Sequence, residues 1–254
     1  MVTPSFGVYF QCYKNPYATY KVLESFRRFY PDSTVVLISD NGYDYTPMAK
    51  YFSCIYIHAT SHLAYTLNEE KGNFNEDLLE SNAIRFIERF KMVAELCPED
   101  YIMWLEDDVK INKKITDTFR YDLNGYCPNK VPAHFLSRMM DDFSILNTIT
   151  DYRFSGHGGS IFKKSKLLEC LNDTTTLNTL IRHWTSYGIR DWTQDFFISI
   201  FITVTGGTVG PYDGHVDCYY DVDNNGQICV QHQYKRYYGV PMPDELKHLY
   251  IHSS

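Results

Sequence analysis

Glu106, Asp107 and Asp108 stand side by side, directly after the apolar run Tyr101-Ile102-Met103-Trp104-Leu105. Three adjacent carboxylates repel one another, and a divalent cation relieves that repulsion. Hard cations such as Mn2+ or Mg2+ take oxygen ligands and keep positions open for water and phosphate. An arbitrary acidic triplet is more often a solvated turn. Here the preceding run reads as a strand buried on both faces. In open α/β sheets, ligands bind just beyond the carboxyl ends of such strands. The triplet is therefore a candidate metal site.

Other groups of chemical interest follow it in the chain. Gly156-His157-Gly158-Gly159 is dense enough in glycine to let backbone N–H groups approach a ligand. Its spacing is not that of a P-loop or a dinucleotide fingerprint, and a tight turn before a helix accounts for it equally well. Asp195 precedes the apolar run Phe196–Phe201, with Thr193 or Asp191 as cap, which predicts a helix with Asp195 in its first turn. A carboxylate there is either a dipole partner or a positioned general base. Val230–Tyr237 brings His232 together with Lys235 and Arg236. Asp221–Gly226 superficially suggests a calcium loop, but the expected later glutamate is missing and a hairpin turn accounts for it better.

These residues need a scaffold, and the N-terminal half supplies a regular one. Strands are predicted at Phe6–Tyr13, Val35–Asp40 and Cys54–His58, with helices at 17–29 and 46–52 between them. The strand–helix alternation argues for a parallel sheet with crossover helices. It gathers Gln11 to Tyr13, Asp40 and His58 to Thr60 at one sheet edge. Asp40 there is either a contact to a nucleotide's ribose or base, or a strand-end turn residue. The polar stretch 61–78 reads as a loop, mobile and folded over a ligand. Residues 79–97 form the clearest amphipathic helix and lead into the central strand. After about residue 110 the regularity fades. A strand is expected within Val131–Met140, and helices at 163–171 and 174–186.

The 254 residues suffice for one large α/β domain, and neither half has enough strands to stand alone. The expectation is a single domain over 1–254, with a nucleotide-type half at 1–109 and a more irregular half at 110–254. A net charge of −7 argues against a broad nucleic-acid footprint, while a phosphate-bearing small ligand needs only a local cation. The seven cysteines are odd in number and scattered, which fits buried thiols in a reducing compartment. No run approaches a membrane span and no signal-peptide pattern follows Met1, so the expectation is a soluble, cytoplasmic protein. The 22 Tyr, 16 Phe and 3 Trp suit sugar and base binding, although most of them are read as core and surface filling.

At these residues the sequence resembles the GT-A class of nucleotide-sugar-dependent glycosyltransferases. The carrier is Trp104-Leu105-Glu106-Asp107-Asp108-Val109, which looks like that class's Asp-x-Asp motif at the end of the fourth strand. The resemblance implies an α/β fold with a mostly parallel central sheet flanked by helices. It implies Asp108 as ligand of a Mn2+ or Mg2+ ion bridging a donor diphosphate. Glu106 takes the motif's first place, and whether Glu106 or Asp107 does the second job stays open. The glycine run, with Gly158 and Gly159, looks like the segment lining the donor-sugar and acceptor pocket. Trp192-Thr193-Gln194-Asp195 looks like the motif whose aspartate is the base of inverting members, with Asp191 in reserve. His232 and Lys235 are similar to the late histidine and lysine that complete the metal site and hold the diphosphate, and His215 is the rival histidine. Gln11, Tyr13 and Asp40 fall where the nucleotide lies.

The implied reaction moves a sugar from a UDP- or GDP-sugar to a glycan, protein or other hydroxyl acceptor. A metal ion stabilises the leaving diphosphate, Lys235 or Arg236 adds a second cation, and inversion requires a carboxylate base. A retaining enzyme would not need that base. A sugar nucleotidyltransferase is the first alternative. It would carry a glycine-rich, basic loop after the first strand, whereas Gln11-Cys12-Tyr13-Lys14-Asn15-Pro16 has no glycine. A non-catalytic carbohydrate-binding protein is the second, and it would need neither metal nor base.

Overall fold

The computed structural model describes residues 4–70, 73–127, 137, 139–149, 152–186, 193–221 and 226–249. The chain opens with β1 (Phe6–Cys12), α1 (Pro16–Phe29), β2 (Val35–Ser39), α2 (Thr46–Tyr51) and β3 (Ile55–His58). The two-residue strands β4 (Glu69–Glu70) and β5 (Asn73–Phe74) come before α3 (Leu79–Leu96) and β6 (Tyr101–Leu105). Then follow β7 (Lys110–Ile111), β8 (Leu123–Asn124), β9 (Ile161–Lys163), α4 (Lys164–Asn172), α5 (Thr174–Ser186) and α6 (Gln194–Val204). The last elements are β10 (Val209–Gly210), β11 (His215–Asp217), β12 (Val230–His232) and the single turn α7 (Asp244–Lys247).

Seven strands form one sheet in the order β10-β8-β9-β6-β1-β2-β3. Neighbours run parallel from β6 to β3 and between β8 and β10, and β9 alone runs against both of its neighbours. The sheet takes strands from both sides of residue 110. Side chains alternate across the central strands, as the pleat requires. Tyr9, Ile102 and Trp104 pack with α3, α4, α5 and α6, whereas Phe6, Val8, Phe10, Met103 and Leu105 pack with α1 and α2. With helices on both faces, β6 is apolar throughout and β1 at every position but Gln11, which is why these strands read as nearly continuous apolar runs.

Local chemistry sets the helix ends. Pro16 sits in the first turn of α1, where a missing N–H costs nothing, and the Asn15 side chain accepts from Ala18 N at 3.4 Å. Asp173 caps α5 by accepting from Thr176 N at 3.0 Å.

Several expectations require correction. The first part of the stretch 61–78 is anchored and not a mobile loop: Leu63 and Leu67 are fully buried, Asn82 donates to Leu67 O at 2.7 Å, and Thr66 bridges Thr193, while 71 and 72 lie outside the described residues. Two isolated leucines in a polar run are too sparse a signal to read as anchors. Within Val131–Met140, Ser137 and Met139 are helical and not extended, and 131–136 and 138 lie outside the described residues. The strands flanking Asp221–Gly226 pair parallel, so no hairpin joins them. Residues 222–225 of that stretch lie outside the described residues. Ile161 and Phe162 end the glycine run as an antiparallel strand wedged between β6 and β8.

Candidate functional site

Cys12, Ser39 and His58 are paired in register, so β1, β2 and β3 end at one level of the sheet. Beside them β6 ends at Leu105 and the chain turns through Glu106-Asp107-Asp108. A cavity of about 190 Å³ opens here, lined by Gln11, Tyr13, Asp40, Trp104, Glu106 and Asp107, together with Tyr65 and Gln194. The Trp104 indole is buried and its Nε1–H has no hydrogen-bond partner. A buried donor without a partner costs about 1–3 kcal/mol.

Glu106, Asp108 and His232 place one ligand atom each within 4.8 Å of one another. His232 Nε2 lies 3.1 Å from Glu106 Oε2 and 3.6 Å from Asp108 Oδ1. Asp108 is 4% exposed, and its Oδ1 is buried without a hydrogen-bond partner. Its Oδ2 is paired with the Lys235 ammonium, and the Tyr238 hydroxyl donates to Asp107 Oδ1. Two carboxylate oxygens and one imidazole nitrogen, with an orphaned oxygen among them, suit a Mn2+ or Mg2+ ion. The residues present therefore fit such an ion.

The titration of these groups reflects crowding. Burial pushes the Glu106 carboxyl up, against the pull of His232. Burial also pushes Asp107 up to about 6, with Asp108 and Glu106 adding to it and Tyr238 and Lys235 opposing. For His232, burial works downward, but hydrogen bonds to Asp217 and Glu106 outweigh it and hold the imidazole up at about 10. Acidic groups held up beside an imidazole held up form a cluster short of positive charge.

The other expected residues have definite positions. Gly158 N–H donates to Glu106 Oε2 at 2.8 Å, and a Cβ at Gly158 would lie 2.8 Å from both that oxygen and His232 Cδ2. Glycine at 158 is therefore what lets the loop touch the cluster. Gly159 has φ +88° and donates to Trp104 O at 2.7 Å. His215 receives Tyr126 N–H at Nδ1, 2.9 Å, and faces Gly158 O at 3.1 Å through Nε2. Both its nitrogens are held by backbone, and it is not in the carboxylate cluster. Arg236 pairs with Asp221 at 2.7 Å and leaves Lys235 as the cation at Asp108.

Asp40 is 1% exposed and both its oxygens are engaged within the protein. They accept from Leu63 N at 2.8 and 2.9 Å, from Arg89 at 2.7 Å and from His62 at 2.7 Å. Arg89 also reaches Gln11 Oε1 at 3.2 Å and Ser61 O at 2.9 Å. The Tyr13 ring stacks on His62 with centroids 4.3 Å apart. Asp195 is 7% exposed, and its Oδ1 accepts from Phe196 N at 2.8 Å. Its charge is felt at Glu106, His157 and Tyr65. Asp191 lies outside the described residues.

Sequence reasoning missed Gln194, His62, Tyr65, Arg89, His157 and Asp217. Gln194 lines the cavity and donates to Ala64 O at 2.8 Å. It adjoins Asp195, so the motif around Asp195 carried the signal. Arg89 interrupts the apolar face of α3, a buried charge in need of a partner. Nothing in the sequence alone pairs Asp217 with His232, because their meeting depends on strand register.

No protein-family model matches the chain, and no curated protein sequence matches it. Among solved structures, an active-site mutant of LgtC is similar over 95% of this chain and 99% of its own, with 11% identity and a TM-score of 0.50. The apo bifunctional glycosyltransferase WbbM is similar over 92% of this chain and 46% of its own, with 10% identity and a TM-score of 0.49. The bifunctional IspDF from Campylobacter jejuni is similar over 82% of this chain and 49% of its own, with 13% identity and a TM-score of 0.39. The chain spans about half the length of the two bifunctional proteins. The likeness to LgtC is one of fold. The architecture is GT-A-like: a mostly parallel seven-stranded sheet between helices.

Proposed function

We propose that this protein is a divalent-metal-dependent glycosyltransferase, moving a sugar from a UDP- or GDP-sugar to an acceptor hydroxyl. The observation that carries the reading is the Glu106–Asp108–His232 cluster, with the orphaned Asp108 Oδ1, beside a cavity where the sheet's strands end. Asp108, Glu106 and His232 would hold a Mn2+ or Mg2+ ion. Such an ion, when bound, supplies Lewis-acid stabilisation of a diphosphate leaving group.

The remaining roles belong to the chain's own side chains. Lys235, paired with Asp108 here, is the cation nearest the cluster and neutralises diphosphate charge. Gln11, Tyr13 and Trp104 wall the nucleoside side of the cavity, Tyr13 through its half-exposed ring face. Gly158 and Gly159 keep the adjoining loop close enough to confine the donor sugar. Asp195 takes the proton from the acceptor hydroxyl as that oxygen attacks the anomeric carbon and the bond to phosphate breaks, with inversion. The acceptor is a glycan, a protein or another hydroxyl compound, met by the 110–254 half.

A donor-hydrolysis screen across nucleotide sugars with Mn2+, run on the wild type and on Asp108→Ala, tests this. Wild type should turn over at least one donor, and the variant should lose turnover while retaining its far-ultraviolet circular dichroism. Full activity in Asp108→Ala would remove the metal from the mechanism.

A further inference from the structure

His157 poses a question that the carboxylate cluster does not answer. It is 6% exposed, and its Nε2 is buried with no hydrogen-bond partner. Buried polar atoms in native proteins almost always have partners, so an orphan calls for an explanation. The nearest acidic group is Asp217, whose Oδ1 lies 3.7 Å from His157 Nε2 and 2.8 Å from His232 Nδ1. One ligand atom from each of His157, Asp217 and His232 falls within 4.8 Å of the others. We infer that these three side chains form a second cation site, on the Nδ1 side of His232, and that it takes a zinc-class ion.

Three elements build this site. The parallel pairing of β11 with β12 sets Asp217 opposite His232. The glycine loop supplies His157, whose carbonyl accepts from Ser160 N at 3.0 Å in a tight turn. Gly156 at φ +116° and Gly159 at φ +88° permit that turn and bring the two imidazole centroids to 4.7 Å. Asp217 is a third exposed, which opens the site to solvent and gives an ion a route in.

The donor set selects the metal. Two imidazoles and one carboxylate, with a fourth position for water, match the three-ligand pattern of tetrahedral zinc sites. Imidazole nitrogen suits zinc-class ions, whereas Mn2+ and Mg2+ favour oxygen-rich sets. The Glu106–Asp108–His232 cluster is oxygen-rich, so the two sites prefer different ions. They also share one ring. If His232 ligates through Nδ1, its Nε2 keeps a proton and donates to Glu106. If it ligates through Nε2, Nδ1–H donates to Asp217. Zinc at the nitrogen-rich site therefore withdraws a ligand from the carboxylate site and weakens Mn2+ binding there. That consequence rests on the metal reading proposed above; the zinc site itself does not.

Cobalt(II) reports the geometry, since tetrahedral Co2+ absorbs strongly in the visible and octahedral Co2+ only weakly. Titration of the wild-type chain with CoCl2 should give the strong bands, and ZnCl2 should displace them. His157→Gln should lower Zn2+ affinity by more than about tenfold, the loss that removing even an outer-sphere partner causes. Asp108→Ala should keep the bands, because Asp108 is not in this site. Bands absent from the wild type, unchanged in His157→Gln, or lost in Asp108→Ala would overturn the inference. A map of zinc anomalous scattering from wild-type crystals soaked in ZnCl2 decides without a variant. A peak between His157 and His232 supports the site, and a peak at Asp108 alone overturns it. Failure of Mn2+ to bind the wild type would instead count against the proposed function and leave the zinc result standing.

Discussion

At the residue scale, buried charge separates positioning groups from reacting ones. Asp40, Arg89 and Gln11 are fully engaged with one another and with the backbone of 61–63, so they brace the cavity wall. Asp195 differs in that its partners are a local N–H at the start of α6 and the Tyr65 hydroxyl on the cavity wall, with no cation paired to it among the described residues. If it is the base, Asp195→Asn keeps donor binding and lowers kcat for transfer by at least about 100-fold. Steady-state kinetics with calorimetric donor affinity checks this, and normal transfer by the variant would end the assignment. His62 offers a pH test clear of the carboxylate cluster. Its hydrogen bond to Asp40 raises its pKa, against burial and the nearby Arg89. A raised histidine contributes stability that is fully present below the unfolded value of about 6.5. That contribution is lost as pH rises through the folded value. The side chain is 41% exposed, so solvent screening holds the effect below about 1 kcal/mol. The stability difference between wild type and His62→Ala should shrink as pH rises above about 6.5 and level off once pH has passed the raised folded value, leaving a constant offset for the lost Tyr13 stacking. A difference flat across that range would contradict the link.

At the element scale, the glycine loop and the short sheet of β7, β12 and β11 act as the frame of the cluster. Gly158→Ala tests that frame, because the added methyl would lie 2.6 Å from Val109 Cγ2 and 2.8 Å from both Glu106 Oε2 and His232 Cδ2. Overpacking of this kind costs about 1–3 kcal/mol. Since two of the crowded atoms belong to candidate ligands, Mn2+ affinity measured by electron paramagnetic resonance should fall more than about tenfold. A melting point lowered with Mn2+ affinity intact would show that the loop does not support the cluster. The sequence made this frame only partly legible. The strands β1, β2 and β6 and the helices α1 and α3 stand out because each has a long apolar run or face to bury. The acidic turn stands out because three carboxylates end the most apolar strand. By contrast, β7, β8, β10, β11 and β12 are two or three residues long, below the length at which alternation can register. The contacts His232–Asp217 and Gly158–Glu106 join residues 15 and 52 positions apart, and only the folded register sets them.

At the scale of the whole molecule, the cluster draws on both halves of the chain and on two sheets, the seven-stranded sheet that holds β6 and the short sheet that holds β12. Glu106 and Asp108 follow β6, while His232 ends β12 and Lys235 follows it. The net charge of −7 repels an anionic ligand at long range, so a nucleoside diphosphate needs local positive charge to bind. Lys235 is already paired with Asp108, and the cluster adds a second carboxylate, Glu106. Metal and diphosphate should therefore bind cooperatively, each supplying the charge the other lacks. Ligand that binds the native state alone, at about 100 times its Kd, adds about 2.7 kcal/mol. For a chain of this size each kcal/mol raises Tm by about 2–4 °C, so Mn2+ with UDP or GDP should raise it by roughly 5–10 °C. Either component alone should give less than half of that shift, and excess EDTA should abolish the difference. A nucleotide shift of equal size with and without Mn2+ would mean that the diphosphate finds its charge elsewhere, and that the acidic turn is not where it binds.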